Sequence, residues 1–136
     1  MKQEQLEPQM NADERRINEI TDRVIGCAYK VANTLGAGFL ERIYENALAI
    51  ELAADGLSVQ QQFPIQVRYR GQPVGDYTAD LLVEGCVVLE LKAVRAFEDV
   101  HIAQCLNYLS ATGLKLCLLI NFSSPSIEIK RIVNKL

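Results

Sequence analysis

The sequence predicts an α/β fold with the element order α-α-β-β-β-α-β-β. Three observations carry that prediction. Apolar residues recur at steps of three and four early in the chain, as on one face of an amphipathic helix. Three consecutive segments of strand composition follow, punctuated by glycine. The third of these contains VVLELKAV (residues 87–94), six of whose eight residues are apolar, as in a strand covered on both faces. After it come a helical segment and a second short apolar strand.

The elements follow one another along the chain. Residues 1–12 are polar, with Gln3, Gln5, Pro8 and Gln9, and read as a flexible tail before a single domain spanning 13–136. From Asp13, the positions Ile17, Ile20, Val24, Ala28, Val31 and Leu35 form one helical face. The helix stops at Gly36 and Gly38, where a left-handed cap is sterically cheap. A second helix runs from about Leu40 to Asp55 and ends at Gly56. The strand segments SVQQQFPIQVRYR, DYTADLLVEG and CVVLELKAV are separated by GQPVG and by a turn around Gly85. EDVHIAQCLNYLSATG has helical spacing and ends at Gly113. LKLCLLINF reads as a short buried strand, SSPS as a turn, and IEIKRIV as a final strand or short edge element. There is no internal repeat and no linker that would divide the chain.

Bulk properties narrow the classes. A chain of 136 residues with 49% hydrophobic and 23% charged residues is an ordinary globular domain, able to bury roughly two-thirds of its unfolded surface. The net charge of −3 gives no global basic signature, which counts mildly against a nucleic-acid-binding protein, since these more often carry an excess of Lys and Arg. A metal-dependent enzyme can still be acidic, because clustered carboxylates await a cation. The N-terminus lacks the apolar core of a signal peptide, and no stretch approaches the ~20 apolar residues of a membrane span. Cys27, Cys86, Cys105 and Cys117 are scattered through apolar segments without a CxxC pair. They read as reduced thiols of a cytoplasmic protein rather than as metal or cluster ligands.

The charges in VVLELKAV demand a reason. Glu90 and Lys92 lie two apart, hence on one face of the strand, and buried ions are costly unless paired or bound to a metal. Asp80, in TADLLV, is a second acid where an apolar residue fits better, although an edge-strand aspartate facing water would look the same. The turn decides whether they meet. A two-residue loop Glu84-Gly85 would set Asp80 opposite Leu89. A three-residue loop Glu84-Gly85-Cys86 would set it opposite Glu90, and Gly85 can supply the left-handed residue such loops need. The three-residue loop is the expectation. Asp80, Glu90 and Lys92 then converge, and two adjacent carboxylates call for a proton or a cation. Oxygen ligands of this kind suit Mg²⁺ or Mn²⁺. A structural Glu90–Lys92 ion pair is the plainer reading, but such a pair seldom outperforms apolar residues.

Glu41, in GAGFLERIY, shares a helical stripe with Tyr44, Leu48 and Leu52, and its carboxylate can reach the sheet; as a plain first-turn acid it would favour the helix dipole. Gln104 and Tyr108 lie one helical turn apart on a common face. His101, the one histidine, reads as structural or surface. Arg68, Arg70, Arg95, Lys130 and Arg131 could form a local phosphate-binding surface, or could simply be solvated strand ends.

Taken together, Asp80, Glu90-Leu91-Lys92 as E-x-K and Gln104-x-x-x-Tyr108 resemble the PD-(D/E)XK nuclease superfamily and its RecB-like branch. Gly38-x-x-Glu41-x-x-Tyr44 resembles the signature of the small GxxExxY protein family within it. The resemblance covers roughly residues 15–133. Ala79 stands where the acidic motif has proline, and Cys117 and Ser123 stand where small glycine-like residues are expected. The resemblance implies a restriction-endonuclease-like three-layer α/β/α core with a mixed sheet. It implies metal-dependent hydrolysis of nucleic-acid phosphodiesters, with DNA ahead of RNA as partner. Asp80 and Glu90 would hold Mg²⁺ or Mn²⁺, with Glu41 a further ligand directly or through water, and the Leu91 carbonyl another. Lys92 would orient the attacking water or stabilise developing charge, while Gln104 and Tyr108 would position the phosphate or the nucleophile. The alternative is a catalytically silent module that keeps the fold to bind nucleic acid or a protein. A homodimer through the first helix is a further alternative to that helix packing on its own sheet.

Overall fold

The computed structural model of the protein describes residues 11–123 and 126–134. Most of the expected polar tail, and Ser124 and Pro125 of the expected SSPS turn, lie outside the described residues. The elements follow the predicted order: α1 (Ala12–Leu35), α2 (Glu41–Ala54), β1 (Val59–Tyr69), β2 (Gln72–Val83), β3 (Val87–Lys92), α3 (Asp99–Thr112), β4 (Leu116–Asn121) and β5 (Glu128–Val133). Helix α1 starts one residue earlier than the periodicity suggests. Asn11 caps it by accepting the Glu14 N–H at 2.8 Å, and Glu14 returns the contact to the Asn11 N–H at 3.1 Å.

The five strands form one mixed sheet in the order β1-β2-β3-β4-β5. All neighbours are antiparallel except β3 and β4, which are parallel and joined through α3. Helices α1 and α2 cover one face with a core that includes Val24, Ala28, Leu48 and Leu52 against Leu81, Leu89, Leu91 and Leu118. Helix α3 covers the other, packing Cys105, Tyr108 and Leu109 against Val88, Cys117 and Leu119. This is the expected three-layer α/β/α arrangement. The apolar face of α1 is spent on its own sheet, so it is not a free dimer face.

One predicted turn is wrong. GQPVG is not a loop: the chain reverses at Arg70-Gly71, both at positive φ (52° and 78°), and β2 begins at Gln72. The proline misled because it normally interrupts a ladder. Here β2 pairs with β3 only over Leu81–Val83, so its outer half has an open edge where Pro73 lacks no needed partner.

The turn between β2 and β3 is the three-residue loop Glu84-Gly85-Cys86. Both Glu84 (φ 54°) and Gly85 (φ 67°) are left-handed. The non-glycine strain at Glu84 is offset by three contacts. Its N–H donates to the Ser58 carbonyl at 2.8 Å, its Oε2 accepts the Ser58 N–H at 2.6 Å, and its Oε1 meets Arg16 at 3.2 Å.

Side-chain alternation breaks at one point, and that point locates the site. Leu81 packs on the α1/α2 side, whereas Ala79, two residues away, packs on the α3 side. Strict alternation would put both on one face. On β1 the matching residue, between the Gln61–Leu81 and Phe63–Ala79 pairs, is Gln62 at φ 53°. The two strands thus switch faces together at Gln62 and Asp80.

Candidate active site

Asp80 occupies this irregularity, where β2 and β3 part company. The backbone ladder ends at Leu81–Leu89, which sets Asp80 opposite Glu90, and beyond it side chains replace the missing main-chain partners. The Leu91 N–H donates to Asp80 Oδ2 at 2.8 Å, and the Asp80 N–H donates to Glu90 Oε1 at 3.4 Å. Glu90 is 5% exposed. Its other oxygen, Oε2, lies 3.6 Å from Lys92 Nζ and accepts a long hydrogen bond from the Tyr108 hydroxyl at 3.4 Å. Tyr108 also faces the Thr78 carbonyl at 3.3 Å. Asp80, Glu90, Lys92 and Tyr108 therefore form one continuous constellation across β2, β3 and α3.

Burial, and then the Asp80 charge beside it, push the Glu90 carboxyl up to about 7, against the pull of Lys92. Burial raises Asp80 too, and the Glu45 and Glu41 charges add to this; the Leu91 N–H and Lys92 oppose it. Tyr108 is raised by burial and by the Glu90 and Asp80 charges, so its hydroxyl stays protonated as a donor.

A pH dependence follows for the ion-free protein. The unfolded Glu90 titrates near 4.3 and the folded one near 7. Between those values the folded state holds the extra proton. Stability is therefore full below about pH 4.3 and declines as pH rises through 7, by about 4 kcal/mol from this group alone. Urea unfolding in chelator from pH 4.5 to 8 measures it. Glu90→Gln should flatten the decline, and a variant that declines as steeply as wild type would assign the effect elsewhere.

Glu41 opens α2, is solvent-exposed, and its Oε2 accepts the Ala93 N–H at 3.1 Å, just past β3. It thus reaches the C-terminal end of the E-x-K strand. Tyr44 is fully buried and does not face the carboxylates. Its hydroxyl donates to the Gly36 carbonyl at 2.5 Å and accepts the Phe39 N–H at 3.3 Å, and its ring stacks on Phe122 at 4.6 Å. Gly38, at φ 103°, lets this loop turn. In the Gly38-x-x-Glu41-x-x-Tyr44 motif, the glycine and tyrosine therefore shape the loop that presents Glu41.

Gln104 is half-buried one turn before Tyr108, and its side chain makes no hydrogen bond among the described residues. His101 belongs to the frame of α3: its Nδ1 accepts the Glu98 N–H at 3.0 Å, and its ring meets Phe97 edge-on. Arg95, Lys130 and Arg131 do not join the constellation, and Arg131 binds Asn18 at 3.1 Å.

Two residues escaped the sequence reading. Glu45 is 3% exposed and lies near enough for its charge to act on Asp80. It is held by Gln61 at 2.9 Å, Gln62 at 2.8 Å and Arg42 at 3.4 Å. The signal was present: Glu41, Glu45, Leu48 and Leu52 fall at i, i+4, i+7 and i+11. Asn121, at the end of β4, is fully buried and grips the loop after Lys92. Its Oδ1 accepts the Val94 N–H at 3.0 Å and its Nδ2 donates to the Val94 carbonyl at 2.9 Å.

Among the described residues, no three of His, Cys, Asp and Glu converge as a ready-made metal cage. The donors that do meet are two carboxylates, Asp80 and Glu90, whose mutual charge disfavours their joint ionisation. Hard oxygen donors needing positive charge fit a small divalent cation that keeps much of its water.

Two solved structures share the fold. SSO0001 superposes with a TM-score of 0.56 at 18% identity, covering 90% of this chain and 61% of that one. The chain thus spans less than two-thirds of SSO0001. An alkaline exonuclease (LHK-Exo) from Laribacter hongkongensis superposes with a TM-score of 0.51 at 15% identity, covering 93% of this chain and 73% of that one. No curated protein matches the chain in sequence. The family model of the PD-(D/E)XK nuclease superfamily matches residues 18–132, a span that contains Glu41, Asp80, Glu90, Lys92, Gln104 and Tyr108, and the chain belongs to that superfamily.

Proposed function

We propose that this protein is a cytoplasmic Mg²⁺- or Mn²⁺-dependent nuclease of the GxxExxY type that hydrolyses phosphodiester bonds of nucleic acid, DNA before RNA. The observation that carries the reading is the buried Asp80–Glu90 pair with Lys92 beside it. Nucleases of this superfamily generally use divalent metal ions. Asp80 and Glu90 would hold the ion, with Glu41 and the Leu91 carbonyl completing the protein ligands. When bound, it would supply charge neutralisation at the phosphate and an acidified water.

The rest of the chemistry belongs to the side chains. Lys92, 3.6 Å from Glu90, is mostly buried and aims a positive charge where negative charge grows in the transition state. Tyr108 donates to Glu90 and fixes the orientation of that carboxylate. Gln104, on the same face of α3 and unengaged among the described residues, would contact the phosphate or the nucleophile. Asn121 holds Val94 and Glu41 holds Ala93, so the chain leaving the E-x-K strand is pinned just past Lys92.

One feature favours the second reading, a silent nucleic-acid- or protein-binding module. Among the described residues no three of His, Cys, Asp and Glu converge on one point, and one oxygen of Glu41 is already taken by the Ala93 N–H. Incubation with single-stranded and duplex DNA and RNA under Mg²⁺ or Mn²⁺ separates the two. The nuclease reading expects ion-dependent cleavage that falls on the order of 100-fold in Lys92→Ala. No cleavage of any substrate by the wild type would leave the silent module.

A further inference from the structure

A polar cleft opens beside the carboxylate constellation, between the outer β1–β2 hairpin and the C-terminal half of α3. It measures about 450 Å³, and Arg68, Tyr77, Asn107 and Ser110 are among its walls. That volume falls within the roughly 300–1,000 Å³ of ligand sites. We propose that this cleft binds a single strand of nucleic acid, with Tyr77 as a base-stacking platform and Arg68 as a phosphate contact. The proposal rests on the nuclease reading for its choice of ligand class and names the form of substrate that the site takes.

Position is the first argument. The Tyr77 ring meets the Tyr108 ring edge-on at 5.5 Å, and the Tyr108 hydroxyl bonds Glu90. The cleft therefore begins one aromatic ring from the carboxylates. The switch of faces at Asp80 and Gln62 places Tyr77 there, because beyond it the odd-numbered residues of β2, Ala79 and Tyr77, face α3 whereas Leu81 faces α1 and α2.

Chemistry is the second. Tyr77 is 37% exposed, so the ring is available at the cleft while its edge is held by Tyr108. Arg68 stands at a bulge, where the β1–β2 register shifts between Val67 and Arg68, a device that re-aims side chains. Its guanidinium donates to the Gly71 carbonyl at 3.0 Å and forms no ion pair with a carboxylate among the described residues. Asn107 and Ser110, both exposed on α3, add an amide and a hydroxyl.

An aromatic face, one uncompensated cation and neutral hydrogen-bonding groups are the components of a single-strand groove. Bases of a single strand can splay onto an aromatic ring, whereas duplex bases are already stacked within their helix. Duplex binding draws on many phosphate contacts at once, and a chain of net charge −3 with one arginine in this cleft is poorly equipped for it.

Fluorescence anisotropy in chelator tests the assignment without cleavage. The probes are labelled DNA and RNA single strands of about 12 nucleotides and the matching duplexes. The wild type should bind a single strand more tightly than the duplex. Tyr77→Ala should weaken single-strand binding about tenfold, Tyr77→Phe should restore it, and Arg68→Ala should weaken it and flatten its salt dependence. Thermal melts of each variant establish that the fold is intact. Equal or tighter duplex binding, no single-strand binding by the wild type, or folded Tyr77→Ala and Arg68→Ala variants that bind like wild type would each overturn the proposal. The two readings fail separately. Strand binding without cleavage under Mg²⁺ or Mn²⁺ removes the nuclease and leaves the cleft. Cleavage of single strands that Tyr77→Ala and Arg68→Ala leave unchanged removes the cleft and leaves the nuclease.

Discussion

Asp80→Asn should lower ion-dependent cleavage by at least about 100-fold, the scale of losing one electrostatic element at a reacting phosphate. Asparagine keeps an oxygen for the Leu91 N–H but removes the charge that opposes Glu90. The ion-free variant should therefore be as stable as wild type above pH 7, or more stable by about 1 kcal/mol. Ion binding gives a second readout. A site filled at 100 times its Kd stabilises the fold by about 2.7 kcal/mol, and that ion-induced rise in Tm should vanish in Asp80→Asn. Cleavage undiminished in the variant would indict a contaminating nuclease. An undiminished Tm rise with Mn²⁺ would show that the ion sits elsewhere.

Tyr44→Ala should be the most destabilising single change among the residues of the GxxExxY-like motif, costing about 4 kcal/mol. The side chain is buried, stacks in parallel on Phe122 with 8° between the rings, and ties Gly36 to Phe39 through its hydroxyl. Against a total stability of about 5–15 kcal/mol, that loss leaves little margin. Tyr44→Phe keeps the stack and loses only the loop contacts, at about 1–3 kcal/mol. Urea unfolding separates the two contributions. Because the loop presents Glu41 to Ala93, Tyr44→Phe should also loosen the end of β3. A Tyr44→Ala variant that lost under 1 kcal/mol would mean the stack and loop contacts do little for the fold.

Several site residues were legible because the sequence placed charge where the pattern demanded apolar side chains. Glu90 and Lys92 interrupt an apolar strand, and the loop of Glu84, Gly85 and Cys86 fixes Asp80 opposite Glu90. Register arithmetic sufficed there, because strand pairing is periodic and Gly85 constrains the turn. The switch of faces at Gln62 and Asp80 was not legible. A positive φ at glutamine is set by its surroundings, here the Glu45 carboxylate that holds its amide, and no local preference announces it. Glu45 was overlooked for a related reason. Periodicity assigns it to the buried face, but its partners come from β1, and sequence spacing does not show which distant amides arrive there.

The open edge of the outer β2 strand has a consequence for how copies of the chain meet. Residues Gln72–Thr78 are exposed and β3 does not cover their main chain. An uncovered strand edge invites pairing with another molecule. This stretch resists it: Pro73 removes a donor, Gly75 has no side chain to pack, and Asp76 carries charge into any sheet that would extend from it. The residues that made the segment look like a loop in the sequence thus guard against fibre-like growth, and they leave the hairpin free to flank the cleft.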